Sequence, residues 1–166
     1  MKAIVFGGSG FLGQYIVQEL LSRKYKVTIF DRSYPKNKYL KNLNFIKGDI
    51  QNKEKVVNAI KGKSIVYNFA GISDIGDAMI NPIKTSKINL IGTLNILEGC
   101  KKYKIKRFIF ASTIYVYSEL GSFYRVSKQA CEKMLEEYSK NNDLKYPQQI
   151  LFDLVFCNLM ELHQKD

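Results

Sequence analysis

Two hydroxyls, a phenol and an ammonium stand close together in the second half of this chain. Ser112 and Thr113 come first, Tyr124 follows eleven positions after Thr113, and Lys128 closes the run Tyr124-Arg125-Val126-Ser127-Lys128. On a helix, a spacing of four puts the phenol and the ammonium on the same side, one turn apart. A neighbouring cation favours the phenolate and draws a tyrosine from its ordinary pKa of about 10 toward the working pH, which makes a general base. The apolar run from Arg107 to Ala111 reads as a strand that ends at Ser112 and Thr113. Ligands of open parallel sheets gather at the carboxyl ends of strands, so either hydroxyl is placed to share a substrate proton with Tyr124. Taken alone, a Tyr-x-x-x-Lys spacing also arises by chance in helices, and two hydroxyls at a strand end also read as a turn.

A second chemical feature lies at the start. Gly7-Gly8-Ser9-Gly10-Phe11-Leu12-Gly13 satisfies both GxGxxG and GxxGxxG. Glycine is required in such a loop for a tight turn, for close backbone approach to a pyrophosphate, and for close packing of the following helix on the preceding strand. The helix N-terminus then offers amides and the positive end of its dipole to phosphates. The next apolar run, Lys26 to Phe30, ends in Asp31, at the distance expected of the carboxylate that accepts hydrogen bonds from a ribose. An acid there repels a 2′-phosphate, which favours NAD over NADP, while the adjacent Arg32 weakens that preference. Asp31 could also do no more than cap a strand-to-loop turn.

These residues must be positioned by an alternation of strands and helices. Strands are expected at Ala3 to Phe6, Val27 to Phe30, Phe45 to Lys47, Ser64 to Phe69 and Arg107 to Ala111, most of them rich in Ile, Val, Phe or Tyr. Between them, Phe11 to Arg23 carries Leu12, Ile16, Val17, Leu20 and Leu21 on one stripe. The segment from about Ile80 to Tyr103 carries Ile83, Ile88, Leu90, Ile91, Leu94, Ile96 and Leu97. A further helix is expected from roughly Phe123 to Ser139, with Val126, Ala130, Met134 and Leu135 inward and Glu132, Lys133, Glu136 and Glu137 outward. Alternating strands and helices imply an α/β fold with a parallel sheet.

Composition agrees. The 166 residues suffice for one domain, and 46% hydrophobic with 25% charged residues is ordinary for a globular protein. The longest apolar stretch, Ile150 to Met160, is interrupted by Asp153 and Asn158 and falls short of the ~20 residues of a membrane span, and no signal-peptide segment precedes the first glycines. No membrane association and a cytoplasmic location are therefore expected. Cys100, Cys131 and Cys157 form no close pair, which argues against a disulfide framework and a metal site, and the lone histidine, His163, reads as a surface residue. The net charge of +11 is mostly lysine spread along the chain with no aromatic-basic motif, so nucleic acid is not expected as a partner.

Taken together, these motifs resemble the extended short-chain dehydrogenase/reductase family, the NAD-dependent epimerases and dehydratases of nucleotide sugars. The resemblance covers about residues 1–146. Besides the glycine loop and the Tyr124 to Lys128 motif, Gly48-Asp49-Ile50 is similar to the family's adenine-contacting segment. Asn68-Phe69-Ala70-Gly71 is similar to its fourth-strand cofactor motif, and Asn89 with Gly92-Thr93 to its central-helix motif. The family implies a Rossmann-type doubly wound sheet. It also implies cofactor contacts at Gly7, Gly10, Phe11, Leu12, Gly13, Asp31, Arg32, Asp49, Ile50, Phe69, Ala70 and Gly71. By the same resemblance Thr113 is the catalytic hydroxyl, Tyr124 the base, Lys128 both a ribose ligand and the group tuning Tyr124, and Ser112 flanks the substrate. The implied reaction moves a hydride from a sugar carbon to NAD while Tyr124 takes the hydroxyl proton, and a homodimer is a possible assembly.

The chain departs from the family in two places. The connection from Thr113 to Tyr124 is short, and from Pro147 onward the residues stop matching, so that most of the C-terminal substrate lobe is missing. Residues 1–146 are thus expected to be the NAD-binding domain and residues 147–166 a divergent tail. Two origins stay open for that tail. The chain is a truncated member whose last residues come from a shifted reading frame, or a self-contained short protein whose tail packs on the sheet. Two functional readings stay open with them, an epimerase/dehydratase and a catalytically incompetent dinucleotide-binding module.

Overall fold

The computed structural model describes residues 1–36, 43–105 and 107–142. The expected boundary at Tyr146 and the tail, with Cys157 and His163, lie outside them. The chain runs β1 (Lys2–Phe6), α1 (Phe11–Ser22), β2 (Lys26–Asp31), β3 (Asn44–Lys47), α2 (Lys53–Ile60), β4 (Ile65–Asn68), α3 (Ile75–Ile80), α4 (Pro82–Ser86), a π-turn (Lys87–Ile91), α5 (Gly92–Lys102), β5 (Arg107–Phe110), a 3₁₀ turn (Ile114–Tyr117) and α6 (Ser122–Asn142). The strands form one parallel sheet in the order β3-β2-β1-β4-β5. The doubly wound α/β expectation holds, and each expected strand is present to within a residue or two.

Period-two alternation assigns the strand side chains to two cores. Ile4, Phe6, Phe30, Val66, Phe108 and Phe110 face α2, α5 and α6, where Val56, Ile60, Ile96, Leu97, Cys131 and Leu135 meet them. Ala3, Val5, Val27 and Ile29 face the other way onto Val17 and Leu20 of α1. Each buried Ile, Val, Leu or Phe contributes about 1.5–3 kcal/mol of hydrophobic stabilisation. Cys100 and Cys131 are buried free thiols. No described helix is long and apolar enough to cross a membrane.

The order of the strands positions the site. From β1 the chain winds outward through β2 and β3, then crosses back to place β4 and β5 on the other side of β1. A crevice opens at such a reversal, above the carboxyl ends of β1 and β4. The glycine loop, Asp31, the segment after Asn68 and the strand end at Ala111 to Thr113 all lie at these carboxyl ends.

Three expectations are corrected. Helix α2 was not anticipated, although Asn52 caps it through a hydrogen bond from the Lys55 amide at 3.0 Å and Glu54 sits in its first turn. The segment from Ile80 to Tyr103 is not one helix: Asn81 leaves helical geometry, Pro82 starts α4, and the π-turn precedes α5. The π-turn inserts a residue and resets the phase of the stripe, so Ile88, Ile96 and Leu97 are buried while Ile83 and Ile91 are exposed. On α6, Val126 and Met134 are exposed, not inward, and Glu132 is half-buried, not outward. Leu135 is buried as expected, and the rest of the inner face is Tyr124, Ser127, Lys128 and Cys131.

Candidate active site

The loop between β1 and α1 closes at contacts that only glycine permits. Gly7 takes φ +77°, and a Cβ there would stand 2.5 Å from the Ala70 nitrogen; a Cβ at Gly13 would stand 2.1 Å from the Gly7 carbonyl oxygen. Helix α1 is thereby drawn against the end of β1. Gly10 gives it no side-chain cap, and its first turn holds no acid, so the leading amides are left for an external anion.

These amides border a cavity of about 560 Å³. Of the expected cofactor residues, Gly7, Gly10, Phe11, Asp31, Arg32, Asp49, Ile50, Phe69, Ala70 and Gly71 line it, whereas Leu12, Gly13, Tyr124 and Lys128 do not. Gly13 acts from behind, by letting α1 approach. Ser9, Tyr34, Lys36 and Ile72 also line the cavity and were not anticipated. Tyr34, stacked on Phe45 at 4.2 Å, follows the Asp31-Arg32 pair closely enough in sequence to have been a candidate.

Asp31 holds two loops at once. Its Oδ2 accepts the Ser9 amide at 3.0 Å and its Oδ1 accepts the Ser33 amide at 3.2 Å. The Ser9 hydroxyl, buried beside this cavity, has no hydrogen-bond partner among the described residues. This hydroxyl and the free helix amides as donors, with the acid at the end of β2 as acceptor, fit a pyrophosphate joined to a ribose. Asp49 closes its own turn by accepting the Gln51 amide at 2.9 Å, and Asn95 of α5 donates to the Ile50 carbonyl at 2.9 Å.

A buried amide network supports the β4 side. Asn68 accepts the Ala70 amide at 3.1 Å and donates to Thr93 at 3.0 Å, and Thr93 donates to the Asn89 carbonyl at 2.6 Å. Asn89, in the π-turn, accepts the Ile72 amide at 2.7 Å and donates to the Ile72 carbonyl at 3.0 Å and to Ser127 at 2.9 Å. One side chain thus ties the loop after β4 to α6. The roles of Asn95 and Ser127 escaped the sequence reading, because single polar residues within an amphipathic helix carry no positional signal.

The chemistry-bearing groups converge where β5 ends against α6. Thr113, 1% exposed, caps the 3₁₀ turn, and its hydroxyl lies beside the Tyr124 phenol. The expected lowering of Tyr124 by Lys128 is corrected: burial holds the Tyr124 hydroxyl above its ordinary value of 10, Thr113 opposes this, nearby Tyr115 adds to it, and Lys128 is not among the causes. Lys128 donates to the Ala111 carbonyl at 2.8 Å, lies over the Phe110 ring at 4.6 Å, and sits 5.8 Å from the centre of the Tyr124 ring. Burial pulls its ammonium down to about 8. The Ser112 hydroxyl donates to the Glu132 carboxylate on α6. Arg125 donates to the Ser118 carbonyl and pairs with Glu119 at 3.2 Å, and Gln129 donates to the Val116 carbonyl at 2.8 Å, so α6 also fastens the short connection from Thr113. A hydroxyl beside a phenol, with a cation one helical turn away, can relay a proton to or from an alcohol bound beside them.

Comparison with known proteins agrees with this geometry. The model of the NAD dependent epimerase/dehydratase family matches residues 3–155. The UDP-glucose 4-epimerase of Klebsiella pneumoniae is 32% identical over 130 residues, which are 72% of this chain and 94% of that sequence. The bifunctional UDP-glucose 4-epimerase and UDP-xylose 4-epimerase 1 of Pisum sativum is 31% identical over 134 residues, 71% of this chain and 38% of that protein. The crystal structure of the Thermus thermophilus UDP-glucose 4-epimerase in complex with NAD superimposes with a TM-score of 0.80 at 29% identity, covering 88% of this chain and 53% of that one. Against these last two, the chain spans from under two-fifths to about half of the relative's length.

Proposed function

This chain belongs to the NAD dependent epimerase/dehydratase family, and from that premise we propose that it carries the cofactor and proton-transfer half of a nucleotide-sugar epimerase or dehydratase. The carrying observation is the buried Thr113 hydroxyl and Tyr124 phenol brought together at the end of β5, with Lys128 one turn along the same helix. NAD, when bound, supplies the hydride acceptor. The Phe11 amide and the Ser9 hydroxyl would hold its pyrophosphate, Asp31 its adenosine ribose, and Asp49 and Ile50 would border its adenine. Thr113 would orient a sugar hydroxyl, Tyr124 would take its proton, and Lys128 would hold the nicotinamide ribose. The sugar carbon is thereby oxidised to a ketone, from which epimerisation, dehydration or reduction proceeds. Asp31 favours NAD over NADP. The relatives' names support a UDP-sugar as substrate, and a second copy of the chain is the proposed partner.

The test is to titrate NAD and NADH into the full chain, then add UDP-glucose and related nucleotide sugars to the NAD complex and follow absorbance of the reduced cofactor. Cofactor binding followed by reduction supports the enzyme. A second reading is a dinucleotide-binding module without turnover. Binding with no reduction by any sugar selects that reading, and no binding of either cofactor form refutes both.

A further inference from the structure

The strand end at Ala111 to Thr113 meets α6 at three consecutive residues, each through a different ionisable side chain. Lys128 bonds the Ala111 carbonyl, Glu132 accepts the Ser112 hydroxyl, and Tyr124 lies beside Thr113. Tyr124, Lys128 and Glu132 follow at steps of four along one helix. The first two carry the proposed proton chemistry. Glu132 has no place in it, and helical periodicity assigned it to solvent, yet it is half-buried against the strand end.

Removing a carboxylate from water is costly unless a strong hydrogen bond or a cation compensates; Ser112 gives Glu132 the first, and Lys128 stands one helical turn back on α6. Because Ser112 donates to it, the Ser112 oxygen is left with acceptor capacity only. The Lys128 ammonium, one turn back, is enclosed by the Phe110 ring and Ala111 carbonyl of the β5 end and by Tyr124 and Cys131 of α6. Gly71 approaches from the loop after β4. The Cys131 thiol is pushed up by burial and is neutral at ordinary pH. Among the described residues, Glu132 is therefore the anion that acts on Lys128, opposing the burial that pulls the ammonium down.

The geometry points to Glu132 as a positioning residue of this site, the anion that fixes the Ser112 hydroxyl onto α6 and faces the Lys128 ammonium; it rests on the reading of Lys128 as the cofactor-holding cation. Glu132 does not line the cavity. It acts by keeping Lys128 charged and held on Ala111, where the ammonium serves the ribose.

The test is an NMR pH titration of the full chain carrying ¹³C-labelled lysine, with the Lys128 signal identified by its loss in Lys128→Met. Glu132→Gln keeps an acceptor for Ser112 and removes the charge. The expected result is a Lys128 midpoint lower by about one pH unit, a tenfold loss of proton affinity, while Glu132→Asp restores the wild-type midpoint. Ser112→Ala, which leaves the charge in place, is expected to keep it as well. The Ser112→Ala/Glu132→Gln double variant carries the same expectation as Glu132→Gln if that variant unfolds. A wild-type midpoint in Glu132→Gln, or equal shifts in Glu132→Gln and Ser112→Ala, overturns the proposal and leaves Glu132 a structural staple. A second measurement, NADH affinity against pH, is expected to fall off about tenfold earlier in proton concentration for Glu132→Gln. Failure of the wild-type chain to bind NADH refutes the proposed function, while the cofactor-free titration still decides the role of Glu132.

Discussion

The carboxylate of Asp31 accepts the backbone N–H of Ser9 at 3.0 Å, so the acid that ends β2 and the loop that ends β1 move as one piece. Asp31→Ala removes a ribose acceptor and also frees the glycine loop, and the expected outcome is a loss of NAD affinity of tenfold or more, about 1.4 kcal/mol or above. Asp31→Asn keeps an acceptor for Ser9 and is expected to lose less. NADP affinity falls less than NAD affinity in both variants. Fluorescence titration of NADH and NADPH measures all four values, and equal losses for the two cofactors would contradict the ribose assignment.

Tyr124→Phe deletes the phenolic oxygen and leaves the ring against its neighbours. Hydride transfer from any sugar that reduces NAD in the wild type is expected to drop by roughly 10²- to 10⁴-fold, the range for losing a positioned acid or base. NAD affinity is expected to stay within about threefold, since one uncharged hydrogen bond is worth about 0.5–1.5 kcal/mol and most cofactor contacts lie elsewhere. Stopped-flow absorbance at the reduced-cofactor band checks the first statement; an unaltered rate removes Tyr124 from the chemistry.

Lys128 is a functional group kept at a cost. Its ammonium titrates at about 8 in the fold, against 10.5 when exposed. Between these values the unfolded chain binds the proton more tightly, so stability rises with pH from about 8 to 10.5, and the full penalty of burying the charge is present below 8. Lys128→Met is expected to stabilise the chain at pH 7 by roughly 1–3 kcal/mol, part of the relief being offset by the lost bond to Ala111. The advantage narrows as pH rises above 9, while NADH affinity is reduced at every pH. Urea unfolding at pH 7 and 9.5 tests this, and a destabilised variant at pH 7 would count against it.

What could be read from the sequence follows a physical division. The glycine loop, Asp31 and the strands were legible because glycine spacing and β-branched runs are imposed by backbone geometry, which few other residues satisfy. The inner face of α6 was not, since Tyr124, Ser127 and Lys128 occupy positions that apolar periodicity reserves for residues such as Val126 and Met134. The stripe between Ile83 and Leu97 failed for another reason. A π-turn shifts the phase of the helix without leaving a mark in composition, so two isoleucines assigned to the core face water. In both places local pattern gives way to the demands of a site.

Asn89 sits within that π-turn. Its buried side chain satisfies both the amide and the carbonyl of Ile72 as well as the Ser127 hydroxyl. Asn89→Leu leaves these groups unpaired and is expected to cost about 2–4 kcal/mol. Chemical denaturation should show the loss as a lower midpoint at unchanged slope.

Two glycines with positive φ separate strain from contact. Gly62 (φ +73°) has nothing near a built Cβ, whereas a Cβ at Gly121 (φ +93°) would lie 2.9 Å from Tyr115 Cβ and 3.0 Å from Arg125 Cβ. Gly62→Ala is expected to cost about 1 kcal/mol of backbone strain, and Gly121→Ala clearly more, about 2–3 kcal/mol. The second variant also disturbs the turn that precedes Tyr124, so it is expected to slow hydride transfer and the first is not. Thermal unfolding and turnover measured on the pair decide both points.

Tyr124, Lys128 and Glu132 are carried by one uninterrupted helix, so their mutual spacing is fixed by the helix itself at about 6 Å of rise per step. What remains adjustable is the seat of that helix on the end of β5. A slip of one residue, about 1.5 Å along the axis and 100° around it, would carry all three away from Ala111, Ser112 and Thr113 together. Damage to that seating is therefore all or none. A variant that loosens α6 is expected to divide the molecules into a fully assembled fraction and an idle one, so that its activity scales with the count of seated helices while the turnover of each seated molecule stays that of the wild type.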